Sequence, residues 1–325
     1  MVAASNVILF ESTLMQKMYK ENEEMEIKEI KKYNNKFKVV SIKFVENYLQ
    51  EGNSLLEAIN TNTIYFFDVE GQTLLLFNEL MKTLHAVKSL YMGLDINESQ
   101  MCIRKMLEIY YQIKYLLLDK EEAKLKCGFI IMSMNRKKRE IIERQIKYSK
   151  DSDENDLKCG LELLDTKLAN LKNIYSIENY KISRRDWYEE YYKYKNNTKK
   201  MPNISQLISF NQSFDRIKFQ QLTPRSLREL FYTSFSMNIH GLLSYEGVWN
   251  IEEKIQLVPH DIICNGSLWL TLVYMMYEDM YFTFCDFFEK FKETFPRDSK
   301  MAREQEKLLY DMKIMDEKVT NLMGY

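Results

Sequence analysis

The chain has 325 residues, 46% hydrophobic and 29% charged, which is ordinary for a globular protein and enough to bury a sizeable core. Its 9 glycines and 4 prolines are too few to punctuate a many-stranded β fold, where turns recur every ~8–12 residues. With 46 Lys and Arg against 47 Asp and Glu, the formal net charge of −1 excludes a global electrostatic drive toward nucleic acid, so RNA or DNA binding would need a local patch.

The opening MVAASNVILFESTLMQ lacks a basic n-region, a long apolar run and a cleavage site, so no signal peptide is expected. Five cysteines (Cys102, Cys127, Cys159, Cys264, Cys285) without a C-x-x-C pair read as reduced thiols of a cytoplasmic protein. Residues 1–35 pass from an apolar segment into the mixed-charge tract KENEEMEIKEIKKYNNK, a solvent-facing helix or arm. A second helix is expected over Phe37–Glu51, stopping at Gly52-Asn53. The run TNTIYFFD, ending at Asp68, reads as an extended connection or a helix start. Gly71–Leu94 is amphipathic, with Leu74, Leu75, Phe77, Leu80, Met81 and Leu84 at spacings of three and four, and Gly93 ends it.

The helix expected from about Glu98 to Asp119 is apolar over most of its surface. It nevertheless carries Arg104, Glu108, Tyr111 and Tyr115 on one stripe. A charged pair there is costly to bury unless other helices supply partners. Beyond Asp119 another long helix turns basic, with Arg136, Lys137, Lys138, Arg139, Arg144 and Lys147. This cluster reads as a solvated helix end, with nucleic-acid contact as the competing reading.

DSDEND (151–156) is expected as a loop, followed by a helix over Leu157–Leu171. In the segment ISRRDWYEEYYKYKNNTKK, Trp187, Tyr191 and Tyr194 share a helix face beside lysines. That pattern suits a buried face, or base stacking. A short helix, ISQLISF, ends near Asn211. Thr223-Pro224 opens the next helix, LRELFYTSFSMNIHG, which stops at Gly241. A polar loop with Gly247 and Pro259 leads to an apolar helix over Gly266–Lys290. Its uncharged stretch Ile262–Tyr277 is shorter than the ~20 residues of a membrane span and reads as a core helix. A charged helix, Lys300–Asn321, closes the chain after Pro296.

Candidate chemistry centres on Tyr232, Ser236 and His240, spaced at i, i+4 and i+8, a stripe able to face Arg104, Glu108 and Tyr111. A histidine oriented by a carboxylate is a candidate general base, and a nearby arginine can hold a phosphate; the same groups also suit a satisfied buried network. His85 and His260 read as an ordinary helix histidine and a loop histidine. No His or Cys spacing suits a metal, and no glycine-rich phosphate loop or nucleophile elbow is present, so no metal or cofactor is expected.

The motif order resembles the bacterial domain-of-unknown-function family five-six-seven-seven over roughly residues 70–290. The carriers are the Gly-Leu-Asp break at 93–95, the R-x-x-x-E pair Arg104 and Glu108, Trp187, the run NISQL, and Tyr232, Ser236, His240 and Gly241. That family is helical and without an assigned activity, so the resemblance implies a fold and no reaction. A looser similarity runs to HEPN helical ribonucleases, including toxins and antiphage effectors, which use an R-x-x-x-x-H or slightly longer spacing on one helix. Here Thr233, Ser234 and Phe235 occupy the arginine positions, so a HEPN-type site would have to borrow Arg104 from another helix.

The expectation is therefore an all-α multi-helix bundle, HEPN-like in arrangement. It has an N-terminal helical extension (1–60), a central domain (61–295) and a C-terminal helix (296–325). The leading functional expectation is a cytoplasmic bacterial protein acting through a protein partner or self-association in stress or antiphage defence, with no membrane contact. The alternative is a metal-independent HEPN-like endoribonuclease with His240 as base and Arg104 as phosphate contact. A third reading is RNA binding through Arg136–Lys147 and Trp187–Lys200.

Overall fold

The computed structural model describes residues 2–60, 68–148, 151–177, 185–198, 248–251, 254–257, 266–288 and 299–322, and in α1 it describes side chains only from 28 to 57. The described residues form an all-α multi-helix bundle with one small hairpin. In chain order the elements are α1 (Val2–Asn60), α2 (Val69–Gly93), α3 (Ile96–Leu117), α4 (Lys120–Tyr148), α5 (Asp151–Ile174) and α6 (Trp187–Asn196). They continue with β1 (Val248–Ile251), β2 (Lys254–Leu257), α7 (Gly266–Phe287) and α8 (Ser299–Leu322). The expected helices around 202–211 and 223–241, and the 61–67 connection, lie outside the described residues.

α1 runs unbroken through Gly52-Asn53, where a stop was expected. Gly52 provides clearance instead: a Cβ there would stand 2.6 Å from Met81 Sδ, so its absence lets α2 approach closely. From Ile30 onward α1 lines the core, with Phe37, Phe44, Val45 and Tyr48 fully buried. α8 lies antiparallel along it: Asn47 meets Gln305, Lys43 meets Glu304 and Lys318 stands over the Tyr33 ring.

α2 buries Phe77, Leu80, Met81, Leu84, Val87 and Tyr91, the face its spacing predicts. The helix ends on Gly93, but the left-handed residue is Leu94, at φ 65. Gly93 is required for space, because its Cβ would meet the Asp95 carboxylate, whose Cγ stands 3.2 Å away. The tight turn sends α3 back antiparallel along α2, with Ile103, Met106, Leu107, Tyr110 and Ile113 buried.

α7 is the central helix. Every residue from Trp269 to Met280 is buried, as expected of a helix apolar all round. It touches α1 through Tyr48–Tyr277 (ring centroids 4.2 Å) and α2 through Phe77–Phe284 (5.5 Å). Just before it, at 248–257, where a polar loop was expected, β1 and β2 pair antiparallel with Val248 opposite Leu257. No helix among the described residues is long and apolar enough to cross a membrane.

α4 and α5 form an antiparallel pair. In the first half of α4, Ala123 and the run from Lys126 to Ser133 are buried, whereas its second half meets α5 at Arg139–Asp165. Residues 151–156, expected as a loop, open α5 instead; the partial positive charge of a helix N-terminus favours acidic sequence there. Leu157, Leu161, Leu164, Leu168 and Leu171, spaced four and three, supply the less exposed face of α5. After α5 the chain turns back and seats the Tyr175 ring on Gly128.

That contact leaves no room for a methyl group, since a Cβ on Gly128 would fall 2.5 Å from Tyr175 Cγ. Gly128→Ala should therefore destabilise the protein by about 1–3 kcal/mol. Gly160→Ala, where a Cβ would meet only Ile142 Cδ1 at 3.9 Å, should stabilise it by up to ~1 kcal/mol through helix propensity. Urea midpoints measure both, and equal effects would remove the steric account.

Candidate functional site

Arg104 and Glu108 do form the expected pair, with Nε 3.3 Å from Oε1. Their side chains are 24% and 40% exposed, so the pair sits at the edge of the bundle and not inside it. Tyr111 and Tyr115, on the same stripe, are buried. α6 lies against the lower end of this stripe: Trp187 Nε1 donates to Gln112 Oε1 at 2.9 Å, and the Trp187 ring packs on Tyr115. Tyr232, Ser236 and His240 lie outside the described residues, so their placement relative to Arg104 and Glu108 is not described.

Three of the six residues of the basic cluster are held by partners within the protein. Arg136 binds Glu140 and donates to the Arg185 carbonyl, while Lys137 reaches Asp186. Arg139 binds Asp165 and Glu143. Lys138 stands exposed. Trp187 is buried, with its ring held against Tyr115 and Tyr188 and its N–H committed to Gln112.

The dominant polar centre is one that the sequence reading passed over. Asp279 Oδ2, on α7, accepts from Tyr110 at 2.7 Å and meets Lys114 Nζ at 2.7 Å, both from α3. Lys114 also donates to Thr283 Oγ1. The Asp279 side chain is 0% exposed and that of Lys114 is 11% exposed. One residue earlier, buried Glu278 accepts from Tyr48 of α1 at 3.0 Å. The signal was visible as two carboxylates ending an uncharged run and one lysine inside YYQIKYLLL. Their wide separation in the sequence concealed the pairing.

A second buried charge is Lys126 on α4. Its ammonium stands 4.7 Å from the Tyr115 ring centroid and 5.5 Å from that of Tyr191, with Glu122 Oε2 at 3.5 Å. Burial pushes it down to about 8. The neighbouring Cys127 thiol is pushed up by burial to about 11, which leaves it a poor nucleophile.

At the start of α7, the Ser267 N–H donates to Asp316 Oδ2 at 2.7 Å, so a side chain of α8 caps α7. Tyr91 donates to the Gly266 carbonyl beside it. Burial pushes the Asp316 carboxyl from its ordinary 3.8 up to about 6, against the lowering effect of the Ser267 and Gly266 donors. These groups tie helices together. Among the described residues no cluster of His, Cys, Asp or Glu could hold a metal ion. No protein-family model, curated protein or solved structure matches the chain.

Removing the Asp279 carboxylate strands the Lys114 ammonium, so Asp279→Ala should cost about 3–5 kcal/mol. Arg104→Ala breaks a partly exposed i,i+4 pair and should cost roughly 0.5 kcal/mol or less. Denaturant unfolding of the two variants checks this ranking, and similar losses would overturn it. Asp316 predicts a pH dependence. Its folded value lies above its ordinary 3.8, so between about pH 4 and 6 the folded state holds the proton more tightly than the unfolded chain. This group should therefore weaken the fold as pH rises through that window, by at most on the order of 2–3 kcal/mol. Asp316→Asn should flatten that part of the stability–pH curve; an unchanged slope would assign it to other groups.

Proposed function

We propose that the protein is a cytoplasmic helical scaffold that works through protein contacts made by the α4–α5 pair. The observation that carries this reading is a row of exposed apolar side chains. Met134 (37%), Ile141 (56%) and Tyr148 (88%) recur every seventh residue on α4, and Leu163 (68%) stands on α5. Single exposed apolar residues are ordinary, but a seven-residue repeat along one helix is the seam that a partner helix covers. The described polar centres support the same reading, because they bind helix to helix. The setting we propose for this role is a bacterial stress or phage-defence system, in keeping with the looser similarity to HEPN-type helical proteins.

A photo-crosslinking residue in place of Ile141, with the protein at its native level in cells, tests the proposal. Discrete protein adducts should form there, fade when Leu163→Ser is added, and be absent when the probe replaces exposed Lys31 on α1. Adducts to nucleic acid alone, or none, would overturn it.

A further inference from the structure

The α4–α5 pair distributes its charges unequally between two sides. Asp165 and Glu143 are bound to Arg139, and Glu140 to Arg136. Ile141 and Leu163 each lie two residues from a member of the Arg139–Asp165 bridge, roughly 200° around their helices. They therefore stand level with one another on the side away from that bridge. On α4 this side carries Met134, Lys138, Ile141, Gln145 and Tyr148 at spacings of four and three, all exposed. Lys138, Arg144 and Lys167 are exposed as well, and Asp156, two turns before Leu163, is an exposed acid on the same stripe, whereas Lys147 shares the stripe of Arg139 and Glu143. The surface is apolar along a helical seam, with more basic than acidic side chains around it. Ile141 and Leu163, level with one another on this seam, offer bases no stacking partner, and Tyr148 at its end is the single exposed ring on it, which favours a helix over RNA as the occupant.

A helix of matching chemistry occurs in the chain itself. α8 runs antiparallel to α1, and Lys318 stands over Tyr33, so the end of α8 at Leu322 comes level with about residue 29 of α1. α2 meets α1 at Phe37 through Tyr91, close to its own end. α1 continues back to Val2, a further ~40 Å of helix beyond these described neighbours. The sequence of that stretch places Val7, Phe10, Leu14, Met18 and Met25 at helical spacing, with five glutamates, Glu11, Glu21, Glu23, Glu24 and Glu26, against two lysines, Lys17 and Lys20. By its sequence pattern the stretch is net acidic and amphipathic.

We propose that the chain self-associates: the N-terminal half of α1 from one copy lies along the cationic, apolar side of α4–α5 of another. This rests on the scaffold reading above and names its partner as a second copy. A third helix on an antiparallel pair would cover Ile141 and Leu163 and set glutamates against Lys138 and Arg144.

Sedimentation velocity of the full chain tests it. The expected result is a species of twice 39.1 kDa whose association weakens as salt is raised. Ile141→Glu with Leu163→Glu, both at exposed positions, should give a folded monomer by circular dichroism. Lys138→Glu with Arg144→Glu should weaken the dimer by roughly tenfold or more. Glu21→Lys with Glu24→Lys should do the same, and a mixture of the two charge-reversed proteins should associate with each other. A monomeric wild type, a dimer indifferent to these variants, or RNA binding that Lys138→Glu with Arg144→Glu abolishes would each overturn the inference. A monomer that still crosslinks from Ile141 to another protein would overturn self-association and leave the scaffold reading standing.

Discussion

Asp279 accepts from Tyr110 and pairs with Lys114 inside a helix buried at every residue from Trp269 to Met280. A carboxylate in that position is tolerable only with a counter-charge and good hydrogen bonds. Glu278 next to it is equally buried and turns to Tyr48 on α1. Adjacent residues on a helix point about 100° apart. One rotation of α7 therefore satisfies both carboxylates, the first toward α1 and the second toward α3. A turn of the helix by one residue would set Asp279 against the wrong neighbour and leave Lys114 without its charge. Apolar packing alone tolerates such rotations far better, so the two acids select one register among several that the greasy surface of α7 would accept.

The same principle of partnered burial explains why α4 divides in two. Its first half enters the core with a lysine, Lys126, whose ammonium rests between the Tyr115 and Tyr191 rings with Glu122 nearby. Ring faces are negative, so they partly replace the water lost on burial. These tyrosines come from α3 and α6, and Trp187 on α6 is joined to Gln112 on α3. α6 is thus clamped against both helices near the root of α4. Past Met132 the apolar face of α4 narrows, and ion pairs to α5 and to the Arg185–Asp186 turn take over.

Much of the helical layout could be read from periodicity. α3 was expected over about 98–119 and spans 96–117; α8 was expected over 300–321 and spans 299–322. Local signals failed where tertiary contacts overrode them. Gly52-Asn53 looks like a helix stop, yet Gly52 is present because Met81 needs the space, a fact that belongs to α2. The acidic run at 151–156 looks like a loop by composition, yet its charge suits a helix start. The candidate site shows the same limit. Arg104 and Glu108 stood out because they are spaced to meet each other, and that self-sufficiency lets them remain partly exposed. Lys114 and Asp279, 165 residues apart, have no local counterpart and meet only when the chain folds.

Near-neutral overall charge is therefore a poor guide to the surface of this protein. Several carboxylates are used internally: Asp279, Glu278 and Asp316 in the core, and Glu140, Glu143 and Asp165 along one side of α4–α5. Each acid held in this way is removed from the field seen by an approaching molecule. On the other side of that pair the exposed Lys138, Arg144 and Lys167 outnumber Asp156, the exposed acid two turns before Leu163 on the same stripe. A local cationic surface thus arises in a chain of net charge −1 through the placement of its acids. Where such a surface also exposes Ile141 and Leu163, the charges can orient an acidic helix and the apolar residues can hold it, since Coulomb attraction decays with salt while buried apolar area does not.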